Sequence, residues 1–114
     1  VHYPGLGGHK NADIAKRQTD GPGFMLAFEV DGDAQDAERV CQSVKLVTYA
    51  TSLGGVETLM ERRRRWPKEN SAVPENLIRV SVGIENVNDI WADLDQALNA
   101  TGEIENQTQP KMGY

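Results

Sequence analysis

One arginine stands inside an otherwise apolar strand-like run, Leu77-Ile78-Arg79-Val80-Ser81-Val82-Gly83-Ile84. Period-two alternation puts Arg79 on a face with Leu77, Ser81 and Gly83, opposite Ile78, Val80, Val82 and Ile84. A guanidinium fixed on a rigid strand presents a two-pronged donor that matches a carboxylate. The competing reading is an arginine on a solvated sheet face or in a structural ion pair, because an unpaired buried charge is costly. The second candidate is Thr51-Ser52-Leu53-Gly54-Gly55-Val56-Glu57-Thr58. Adjacent glycines after a small polar residue permit backbone angles and close approaches that a Cβ forbids. That suits a turn laying N–H groups and a hydroxyl against a ligand, and it equally suits a plain strand-to-helix turn.

Other reactive residue types lack partners in the sequence. Cys41 has no activating neighbour and reads as a small buried hydrophobe. His2 and His9 stand in a glycine-rich opening with no acidic or cysteine ligand set nearby, which is a poor metal site. Glu29, Glu57 and Glu85 follow apolar segments, but nothing sets two of them at a catalytic separation. Arg62-Arg63-Arg64-Arg65-Trp66 joins four bases to an aromatic, as a phosphate-and-base site does. A charged helix end explains it equally, and the net charge of -5 opposes general nucleic-acid binding. There is no Walker loop and no dinucleotide fingerprint.

The elements that must position these residues follow from periodicity. Residues 1–8 form a breaker-rich loop, and 9–19 a helix ended by Asp20-Gly21-Pro22-Gly23. Phe24 to Val30 alternates as a strand. Asp33, with Asp36 three residues on, caps a helix whose buried face is Ala34, Ala37, Val40 and Cys41. Lys45 to Ala50 is a second strand, after which Val56, Leu59, Met60 and Arg63 fall on the stripe of a third helix. Pro67 stops that helix, Trp66 packs at its end, and residues 68–76 are a polar loop. Leu77 to Ile84 is the third strand. Asn86 caps a last helix whose buried stripe is Val87, Ile90, Trp91, Leu94 and Leu98. Three strands alternating with helices predict an α/β two-layer sandwich.

At 114 residues the chain has the length of one domain. Its composition is that of a globular domain, with no apolar run long enough for a membrane span and no leader-like opening. A single cysteine excludes an internal disulfide and makes the cytoplasm the expected compartment. The absent initiator methionine reads as a fragment or a processed product.

Four stretches in order, Val1 to Leu6, Gly21 to Val30, Ser52 to Leu59 and Ile78 to Glu85, together resemble the C-terminal domain of the Cys/Met-metabolism family of pyridoxal-phosphate (PLP) enzymes. Val1-His2-Tyr3-Pro4-Gly5-Leu6, with His9, Ala15 and Gln18, looks like that domain's opening. Gly21 to Val30 resembles its Gly-x-Gly-x-Met-x-Ser-Phe strand, and Ser52 to Leu59 its Ser-Leu-Gly-Gly-Val-Glu-Ser-Leu signature. Ile78-Arg79-Val80-Ser81-Val82-Gly83-Ile84-Glu85 matches its Ile-Arg-Leu-Ser-Val-Gly-Ile-Glu strand. The resemblance implies a small fold-type I (aspartate aminotransferase-like) domain over residues 1–100, followed by a tail over 101–114. It implies that Arg79 binds the α-carboxylate of an amino-acid substrate, with Ser52, Thr51 and Leu53 beside it. It implies a homotetramer and elimination or replacement chemistry on sulfur amino acids or activated homoserines, of the cystathionine γ-synthase or cystathionine lyase type.

The resemblance also implies that the cofactor lysine, the ring-stacking aromatic and the acid on the ring nitrogen lie in a larger upstream domain. No lysine here stands in the matching motif. This polypeptide alone is therefore expected to contain no catalytic residue, to hold no PLP and to be inactive. Many cystathionine-using members carry Glu where Thr51 stands, to meet the substrate's distal amine. The family's His-Pro-Ala-x-Met-Thr-His segment is replaced by Met60 to Ser71. The alternative reading is a non-catalytic small-ligand or protein-interaction module derived from this domain.

Overall fold

The computed structural model describes residues 1–100. The tail expected over 101–114 lies outside the described residues. In chain order the elements are α1 (Ala12–Gln18), β1 (Met25–Glu29), α2 (Ala34–Ser43), β2 (Thr48–Tyr49), β3 (Leu59–Arg62), a 3-10 turn (Arg63–Arg65), β4 (Leu77–Ser81) and α3 (Val87–Ala100). The sheet order is β1-β4-β3-β2. β4 is antiparallel to both neighbours, and β2 runs parallel to β3. The α/β two-layer expectation holds, with α2 against one sheet face and α3 packed on α2.

The core on that face joins Met60, Ile78 and Val80 of the sheet to Ala37, Val40 and Cys41 of α2 and Ala97 of α3. Local chemistry starts the helices as the sequence predicts. Asp33 accepts a hydrogen bond from the Asp36 N–H, and the Asp36 carboxylate accepts one from the Asp33 N–H, closing a capping box. The Asn86 side chain accepts from the Asn88 N–H in the first turn of α3.

Five expectations fail. The described residues form four strands, not three. The helix expected after the glycine turn is β3 followed by one 3-10 turn, so Trp66 does not pack at a helix end. It is half exposed and donates its indole N–H to Glu61. The second strand shrinks to Thr48–Tyr49 because the Lys45, Leu46 and Val47 N–H groups are taken by the Asp93 carboxylate, each at 2.8 Å. That carboxylate also rotates α3. The buried residues are Ile90, Asp93, Gln96, Ala97 and Ala100, while Val87, Trp91 and Leu98 are exposed. Ile84, expected on the apolar face, lies beyond the end of β4 and is exposed.

Candidate functional site

Residues paired in register share a face of a sheet. On the face away from Met60, Ile78 and Val80, Arg79 lies between Ala27 of β1 and Glu61 of β3, and Ser81 between Met25 and Leu59. Arg79 thus has a methyl group on one side and a carboxylate on the other. Its only ionic contact among the described residues is Nη1 to Glu61 Oε2 at 3.8 Å, too long for a hydrogen bond. Its guanidinium makes no hydrogen bond to a described residue, although only 26% of the side chain is exposed.

The glycine turn is tied to the same face. Gly54 donates its N–H to Ser81 Oγ at 2.9 Å. It has φ +84, a conformation that favours glycine, and a Cβ there would also press on the Phe24 ring at 3.0 Å. Thr51 Oγ1 donates to Glu61 Oε1 at 2.9 Å. Ser52 is half-buried, and its hydroxyl makes no hydrogen bond to a described residue. Leu53 is exposed. The far end of the turn is locked by Thr58, which is buried. Thr58 donates its hydroxyl to Glu85 Oε1 and its N–H to Glu85 Oε2, and accepts from the Gly83 N–H. These hydrogen bonds, the side-chain one foremost, hold the Glu85 carboxyl below its ordinary range.

Glu61 is the residue sequence reasoning misses. It is 1% exposed and gathers the hydroxyl of Thr51, the indole of Trp66 at 2.8 Å, and Arg63 at 2.9 Å. Arg65 approaches the same carboxylate at 3.3 Å. Burial opposes its charge most strongly, but the hydrogen bonds from Trp66, Thr51 and Arg63 and the charge of Arg63 outweigh it. The net result is a carboxyl held below its ordinary value. Only the pairing of β3 with β4 reveals this residue, and a helical reading of 56–66 conceals it.

The four arginines behind Trp66 each face a carboxylate. Arg62 meets Glu38 and Glu75, Arg63 meets Glu61 and Glu69, Arg64 meets Glu75, and Arg65 meets Glu61. Arg65 also lies over the rings of Tyr49 and Trp66. His2 pairs with Glu29 while its backbone bridges Ala27, which places it at the sheet edge. Cys41 is buried, as expected, and burial pushes its thiol up to about 12.

Residues 1–99 match the family described as Cys/Met metabolism PLP-dependent enzyme. The chain belongs to that family. Cystathionine gamma-lyase of Dictyostelium discoideum is 42% identical, over 87% of this chain and 28% of the relative. Cystathionine gamma-synthase of Mycobacterium leprae is 40% identical, over 87% of this chain and 27% of the relative. The fold superposes on the crystal structure of metB from Corynebacterium glutamicum with TM-score 0.79 at 39% identity, covering 85% of this chain and 26% of that one. The chain therefore spans a little over a quarter of the length of these relatives.

Lys10, Lys16, Lys45 and Lys68 are exposed, and none belongs to the strands that carry Arg79, Ala27 and Glu61. Among the described residues no helix is long and apolar enough to cross a membrane.

Proposed function

We propose that this chain is the substrate-carboxylate-binding domain, over residues 1–100, of a PLP-dependent lyase or transferase of sulfur amino-acid metabolism. The relatives' names support a reaction of the cystathionine γ-synthase or cystathionine lyase type. The observation that carries the reading is Arg79. It is fixed in the middle of a rigid sheet, mostly shielded, with one loose ionic contact and its hydrogen-bonding edge unspent. A desolvated guanidinium in that state is a carboxylate receptor. Ser52 offers an uncommitted hydroxyl in the turn pinned to Ser81, and Leu53 an exposed apolar rim. Thr51 holds Glu61 and leaves no acid of its own for a distal ammonium.

PLP would be seated by residues beyond those described, and this chain's own work is to bind and orient the amino acid. The same reading includes a cytoplasmic homotetramer and a C-terminal tail at 101–114. The test is kinetic, in the PLP-loaded protein that carries this chain. Arg79→Ala should raise KM by roughly a hundredfold or more, the worth of a shielded two-pronged contact. Arg79→Lys should recover little of it, because a point charge cannot make both bonds. An unchanged KM in Arg79→Ala would remove Arg79 from the site.

A further inference from the structure

We infer that Glu61 is the positioning residue for Arg79, holding one edge of the guanidinium so that the other is presented to the substrate carboxylate. This rests on the carboxylate-receptor reading of Arg79. A carboxylate offers about four acceptor positions. On Glu61, Oε1 is filled by Thr51 and Trp66 with Arg65 beyond them, and Oε2 takes one firm bond from Arg63. The remaining position is on Oε2, the oxygen that faces Arg79 Nη1 at 3.8 Å. Glu61 and Arg79 are direct partners across β3 and β4, so two rigid strands set their relation. With Nη1 turned to Glu61, the Nε/Nη2 edge is the one left for a planar two-pronged contact.

The charges make this partnership loose by construction. Glu61 is already compensated by Arg63 and Arg65, and Arg63 is shared with Glu69. Three guanidinium groups thus face two carboxylates, which leaves one positive charge for a ligand anion. Glu61 anchors Arg79 without neutralising it. On the other side of Arg79 the register partner is Ala27, which adds only a methyl group beside the guanidinium.

The test reads Arg79 directly. In the chain, the Arg79 side-chain N–H is expected to be ordered, with an NMR order parameter above about 0.6, and to shift on titration with acetate. In Glu61→Gln the order parameter should fall below about 0.6 while the fold persists. Where Glu61→Gln does not fold, Glu61→Asp keeps the buried charge but shortens its reach by one methylene, which lengthens the already long 3.8 Å approach to Arg79, and it should give the same loss of order. In the PLP-loaded protein, Glu61→Gln should lower kcat about tenfold or more with KM changed less than about threefold, because misorientation costs the reaction more than binding. An equally ordered Arg79 in the variants, or a rise in KM at constant kcat, overturns the role of Glu61. Absence of any acetate effect on Arg79 in the unsubstituted chain instead overturns the receptor reading on which it rests.

Discussion

Gly83 has no room for a side chain. A Cβ there would stand 2.3 Å from the Val56 carbonyl oxygen, 2.6 Å from the Glu57 carbonyl carbon and 2.7 Å from the Thr58 nitrogen. All three are backbone atoms, so no rotamer change relieves the clash. The Gly83 N–H donates to Thr58 Oγ1 and the Ile84 N–H to Val56 O, so this contact is what clamps the turn's exit beside β4. Gly83→Ala should cost about 1–3 kcal/mol or more, measured by urea unfolding. A cost below about 0.5 kcal/mol would mean the two segments are not clamped. Cys41 makes an opposite kind of claim. Its thiol is held neutral by burial in the core between α2 and the sheet. A thiol reagent at pH 8 should leave the folded chain unmodified and label it fully in denaturant. Labelling of the folded chain at the rate of a free thiol would contradict that packing.

At the scale of elements, the cap on α2 is the most local device and the easiest to read from sequence. Both bonds of the Asp33–Asp36 box are made, so Asp33→Ala should lower stability, read as a fall in the urea midpoint. β1 and β4 were equally legible, because each alternates between a core face and the Arg79 face. β3 was not. Leu59, Met60, Glu61 and Arg62 are all at least partly buried, since this strand is flanked on both sides and covered by ion pairs, so alternation is absent. The spacing of Val56, Leu59, Met60 and Arg63 imitates a helix instead. α3 shows the same limit. Its apolar stripe pointed to Val87, Trp91 and Leu98, but a buried carboxylate that caps three N–H groups, Asp93, decides which face turns inward. Arg79 and the glycine turn were visible as types, and the family motifs named them. Glu61 was hidden because its meaning depends on a strand pairing that no local pattern encodes.

For the molecule as a whole, ion pairs join the outer segments to the sheet. Glu61, Glu69 and Glu85 are all held below the ordinary carboxyl value of 4.5. Burial opposes this most at Glu61, where donors win. At Glu69 the Asn70 N–H and then Arg63 are responsible, and at Glu85 the Thr58 hydroxyl and N–H. A carboxyl depressed in the folded state binds a proton less readily than in the unfolded chain, so the unfolded state takes up more protons in acid. The stability these groups contribute is fully present above 4.5 and is lost as pH falls through their lower folded values. Unfolding midpoints should therefore be flat from pH 7 to about 5 and fall steeply below it. Two of the three, Glu61 and Glu69, hold Arg63 at the start of the segment between β3 and β4. Hydrogen exchange in acid should consequently rise first over residues 63–75, before the β1–β4 pairing opens. Glu85→Gln should shallow the acid slope without altering that order, since Glu85 clamps the turn and not the arginine segment. Stability that holds constant down to pH 3, or exchange that begins in β1 and β4, would show that the carboxylates do not carry this load.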